Sequence, residues 1–60
     1  MRRYFLYDGR YRTNEDIAIC YEVCSTLNEA KKSAKDYGDD TVIVEYEIIN
    51  SVATLKKVLN

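Results

Sequence analysis

Residues 26–49 read TLNEAKKSAKDYGDDTVIVEYEII, and their pattern changes period once, at a glycine. Thr26 and Glu29 have the S/T-x-x-E spacing of a capping box, in which the threonine hydroxyl accepts from the Glu29 N–H and the carboxylate reaches back to the Thr26 N–H. Leu27, Ala30, Ala34 and Tyr37 then recur along one stripe of a 3.6-residue period, while Lys31, Lys32, Lys35 and Asp36 fall mostly off it. The spacing predicts a helix over about 26–37, ended by Gly38 as a left-handed C′ residue with the turn continuing through Asp39-Asp40. The stripe is thin and centred on two alanines, which suits a helix lying close to a sheet. From Thr41 to Ile49 the period becomes two, with Val42, Val44, Tyr46 and Ile48 on one side and Ile43, Glu45, Glu47 and Ile49 on the other. Alternation with β-branched residues marks a half-buried strand.

Working outward, Ile17–Cys24 also alternates. Ile17, Ile19, Tyr21 and Val23 are expected to face the helix, with Ala18, Cys20, Glu22 and Cys24 opposite. A strand running straight into the Ser25-Thr26 cap makes a compact junction. At the N-terminus, Tyr4-Phe5-Leu6-Tyr7 favours a strand, and two turns compete to end it. Asp8-Gly9 is a two-residue hairpin signal. The alternative, which we prefer because the next clear strand begins at Ile17, continues the strand to Arg12 with a bulge at Gly9 and turns at Asn14-Glu15-Asp16.

The last segment admits a strand or a helix. As a strand after an Asn50-Ser51 turn it pairs Ile49 with Val52, Glu47 with Thr54, Glu45 with Lys56 and Ile43 with Val58 on one face. Tyr46 then meets Leu55 and Val42 meets Leu59 on the other, with Lys57 opposite Val44. As a helix, Ser51 would cap a stripe of Val52, Leu55, Val58 and Leu59. The strand is the preferred reading. The fold expected is α+β, in the order β-β-α-β-β, with one helix across a small, mainly antiparallel sheet.

Sixty residues make one domain, 1–60, which buries only about 60% of its unfolded surface. Cys20 and Cys24 would lie roughly 13 Å apart along a strand, at about 3.3 Å per residue, too far for a disulfide. Two free thiols suggest a reducing, cytoplasmic setting. No stretch reaches transmembrane length, and the N-terminus lacks a signal-peptide apolar region.

Thr26-Leu27-x-Glu29-Ala30-Lys31, Tyr37-Gly38-Asp39 and Val42-Ile43-Val44-Glu45 give residues 17–49 a resemblance to small uncharacterised proteins of bacterial and phage genomes. In these a hairpin leads into a T-L-E-E-A-K-like helix, a glycine and a valine-rich strand. The resemblance implies the fold and carries no activity or site residue with it.

Chemistry-bearing groups are few. Without histidine, the two thiols leave a tetrahedral zinc site half-filled, which a dimer would have to complete, and packing as small hydrophobes is the preferred reading. The neighbouring carboxylates Glu15-Asp16 and Asp39-Asp40 read as turn residues and Glu45/Glu47 as an exposed strand face. Acid–base work would need a desolvated cleft. We therefore expect no enzyme, no cofactor, no metal and no small-molecule substrate. Two binding readings remain. If one helix covers one sheet face, the other exposes an apolar strip, and Ile43, Glu45, Ile49, Val52 and Val58 are the candidate interface for a protein partner or homodimer. Charge supplies the alternative: residues 1–12 hold four arginines against Asp8 (+3), and residues 13–60 five lysines against nine acids (−4). Arg2, Arg3, Tyr7, Arg10, Tyr11 and Arg12 are the candidate contacts for a single-stranded nucleic acid, arginines meeting phosphates and rings meeting bases.

Overall fold

The computed structural model describes residues 1–60 and has the order β-β-α-β-β, with a short 3₁₀ turn between the first two strands. The strands are β1 (Arg2–Tyr7), β2 (Cys20–Cys24), β3 (Val42–Ile49) and β4 (Val52–Val58), and the helix is α1 (Leu27–Tyr37). All neighbours are antiparallel, in the spatial order β2-β1-β3-β4. The last element is thus a strand, and β1 and β3, which hold most of the buried strand residues, take the centre.

The helix begins as its sequence dictates. Thr26 is extended and its Oγ1 accepts from the Glu29 N–H at 3.2 Å. The return arm of the box differs from the expected one: the Thr26 hydroxyl itself donates to Glu29 Oε1 at 3.2 Å. Gly38 ends the helix at φ +139°, where a side chain would be strained, and its N–H donates to the Ala34 carbonyl. Ala30 and Ala34 are buried, so the backbone of α1 approaches β1, β2 and the start of β3 over Tyr4, Leu6, Cys24 and Ile43.

Three strand assignments are corrected. First, the connection from β1 is neither the Asp8-Gly9 hairpin nor a long strand. β1 stops at Tyr7, Asp8 caps a 3₁₀ turn at Gly9–Arg12, and the chain returns to the sheet only at Cys20. Asp8 explains this, because its side chain accepts from the Arg10 N–H and its own backbone geometry is that of a cap. Second, the faces of β2 are reversed. Cys24, the residue that runs into the cap, lies under the helix, whereas Ile17, Ile19, Tyr21 and Val23 are exposed. Third, Ile43 lies under α1, while Val42 and Val44 are buried on the other side.

β4 starts in the expected register, Ile49 opposite Val52, around a turn in which Asn50 and Ser51 both have positive φ. A bulge between Tyr46 and Ile48 then shifts the pairing by one. Tyr46 meets Lys56, Glu45 meets Lys57 and Val44 meets Val58, in place of Glu45–Lys56, Tyr46–Leu55 and Ile43–Val58. With a side-chain period of two, one extra residue moves Lys56, Lys57 and Val58 each to the opposite face. Lys57 thus joins Glu45 on the helix side.

The sheet has two covers, not one. Opposite α1, residues 8–19 form a strap whose Tyr11 and Ala18 pack on Tyr7, Val42, Val44 and Tyr46. Every residue of β4 is exposed, because the helix reaches only as far as β3.

Candidate nucleic-acid interface

The strap is closed at both ends by one carboxylate. Asp8 is 8% exposed, and its Oδ1 and Oδ2 accept from the Arg10 N–H (2.9 Å), the Arg10 guanidinium (2.8 Å) and the Ile19 N–H (3.1 Å). The Asp8 N–H in turn donates to the Ile19 carbonyl. Both ends of the strap therefore meet at Asp8. The Arg10 guanidinium and the two backbone donors outweigh burial and hold the carboxyl down at about 2. A second tie comes from β4: Lys56 Nζ donates to Glu15 at 2.6 Å and lies 5.5 Å from the centre of the Tyr11 ring. Glu15 raises the Lys56 ammonium above its ordinary value.

Beyond the strap, the same side of the sheet carries two cross-strand rows. Val23, Phe5, Val44 and Val58 form one, spanning all four strands, and Arg3, Tyr46 and Lys56 form the next. Phe5 meets Tyr46 edge-on at 4.8 Å between ring centres and lies nearly parallel to Tyr7 at 6.3 Å; Tyr7 continues to Tyr11 at 4.6 Å. Phe5, Tyr7 and Tyr46 are half-buried, whereas Val23 and Val58 are exposed. Charge is segregated across the sheet. The strand carboxylates Glu22, Glu45 and Glu47 all share the helix side, by register with Leu6, Tyr4 and Arg2, and the strands bring only Arg3 and Lys56 to the aromatic side.

The residues singled out in sequence do not form two clean surfaces. Of the candidate interface, Ile43 is buried beneath α1, Glu45 lies 4.0 Å from the Arg2 guanidinium, and Ile49 and Val52 are exposed near the hairpin tip. Val58 lies on the opposite side of the sheet. Of the nucleic-acid set, Arg2 points to the helix side, bound to Glu47 at 3.3 Å, and Arg10 is neutralised by Asp8. Tyr11 is buried in the strap. Arg3, Tyr7 and Arg12 remain, with Arg3 and Arg12 in no ion pair. Phe5 and Tyr46 join them, and Lys56, which only the bulge brings to this side, is held by Glu15.

No cluster of three or more histidine, cysteine or carboxylate groups is arranged to hold a metal ion, and no helix is long and apolar enough to cross a membrane. The cysteines are free: Cys20 is exposed, and burial together with the Glu22 carboxylate pushes the Cys24 thiol up to about 11. No protein-family model, curated protein or solved structure matches the chain.

Proposed function

We propose that this protein acts by binding rather than catalysis, and that its working surface is the aromatic side of the sheet, with a single-stranded nucleic acid as the occupant. The observation that carries the reading is the charge segregation. Phe5 and Tyr46 sit beside the unpaired Arg3 on a sheet side to which no strand contributes a carboxylate, and Lys56 in the same row is bound to Glu15 of the strap. Rings on a sheet can stack on unpaired bases while flanking cations meet phosphates.

The test is an amide-resolved NMR titration with a mixed-sequence single-stranded DNA at low and moderate salt. Saturable shifts at Arg3, Phe5, Val23 and Tyr46 are expected. With Arg3 and Arg12 as the phosphate contacts, log K should fall against log salt with a slope of about −1.4. Phe5→Leu should weaken binding roughly tenfold, the loss of one stacked base. Shifts that are absent, insensitive to salt or confined to the helix side overturn the proposal. Broadening of the same amides with protein concentration alone would assign the surface to a second copy instead.

A further inference from the structure

The strap touches the aromatic side of the sheet through one charged contact. Arg3, Tyr46 and Lys56 follow one another across three strands, so the backbones of Arg3 and Lys56 lie roughly 10 Å apart, two strand spacings with Tyr46 between them. The two cations are in different states. Arg3 has no ion pair, whereas Lys56 Nζ donates to Glu15 Oε2 at 2.6 Å. Glu15 belongs to the strap, and this is the only ion pair that joins the strap to a strand.

Three features make that carboxylate replaceable. The Lys56 and Glu15 side chains are 40% and 53% exposed, so an anion from solution reaches the ammonium without unfolding anything. An ion pair this exposed contributes little to the fold. Lys56 also lies 5.5 Å from the centre of the Tyr11 ring, a contact that needs no carboxylate and keeps the ammonium in its row when Glu15 lets go. A change at Glu15 alone leaves the bonds of Asp8 to Arg10 and Ile19 in place.

We propose that Glu15 is a built-in competitor for phosphate: its carboxylate occupies Lys56 in the free protein and so lowers the affinity of the aromatic surface for single strands. The inference rests on the nucleic-acid reading of that surface and adds the contact that restrains it. While Glu15 is present, a phosphate at Lys56 exchanges one anion for another, and the lysine adds little to the salt dependence. Once Glu15 is neutral, Lys56 becomes a third phosphate contact beside Arg3 and Arg12.

The experiment measures binding of mixed-sequence single-stranded DNA over a salt series by the full chain and its variants. Glu15→Gln should tighten binding about two- to fivefold at low salt, the range of an exposed ion pair. It should also steepen the slope of log K against log salt from about −1.4 to about −2.1, at about −0.7 per contact. Asp16→Asn removes the same charge from a neighbour in no ion pair and should leave the slope at about −1.4. Glu15→Gln combined with Lys56→Gln should lose the gain. Amide exchange at Ile19 should be unchanged in Glu15→Gln, because Asp8 still closes the strap. Binding by the unaltered chain with no change of slope in Glu15→Gln overturns this inference and spares the surface; no binding by any of the proteins overturns both. An equal gain in Asp16→Asn, a gain that survives loss of Lys56, or a gain accompanied by faster exchange at Ile19 also overturns it.

Discussion

The two covers of the sheet are built on different physics. On one side α1 packs two alanines against Tyr4, Leu6, Cys24 and Ile43, and its start and stop are written locally by Thr26 and Gly38. Its polar anchor, Glu22, accepts from Cys24 Sγ, Ser33 Oγ and Tyr37 Oη, but the apolar contacts beneath the helix do not depend on that carboxylate. On the other side a strap of irregular chain lies over Val42 and Val44, held by the carboxylate of Asp8 and the inward ring of Tyr11. Burial holds the first cover; the second depends on ionised groups, Asp8 at its ends and Glu15 paired with Lys56. The helix side should therefore open only with the whole molecule, and the strap should be able to open alone.

The largest expected effect breaks the helix side. Leu6→Ala removes a fully buried side chain from the core and should cost about 3 kcal/mol. That is most of the stability of a chain this short, so urea should unfold the variant far below the native midpoint, in a single transition with helix and strap lost together.

Next comes acid. The Asp8 carboxyl is held at about 2 in the folded chain against an ordinary 3.8. Its stabilisation is complete above the ordinary value and is lost as pH falls through about 2. Amide exchange at Ile19 and Tyr11 should accelerate across that window before exchange in α1 does. Asp8→Asn should produce the same local opening at neutral pH, and simultaneous loss of protection on both sides would erase the distinction between the covers.

Smaller effects sharpen it. Thr26→Ala should destabilise by about 1 kcal/mol, the loss of a helix cap, measured by denaturant titration. Ser51→Gly should stabilise by roughly 0.5–1 kcal/mol, because Ser51 sits at φ +65° in a turn that favours glycine. Tyr11→Phe should leave stability nearly unchanged, because the Tyr11 hydroxyl is buried without a hydrogen-bond partner while its ring makes the contact.

How much of this was legible follows the same division. The cap, the alanine stripe, the glycine stop and the alternation of β3 are local signals, and they placed the helix and the strands that flank it. The strap was not legible as a second cover. Tyr11 and Ala18 are ordinary in sequence, and only tertiary pairing of Asp8 with Ile19 draws them onto Val42. The faces of the sheet failed for a related reason: alternation says that two sets exist, and nothing local says which set meets the helix. Parity also failed at the β4 bulge, whose extra residue has no glycine to announce it. That one shift moved Lys56 beside Tyr46 and so assembled the cationic row of the candidate interface.

The bulge has a consequence for the chain's behaviour in crowded solution. A seven-residue outer strand with every residue exposed is a template onto which other chains could polymerise. The extra residue puts a kink in that template, and Lys56 and Lys57 follow directly after it, so a second molecule meets a broken ladder and two ammonium groups. The same residue that sets the order of side chains on β4 therefore also acts as a brake on fibril growth.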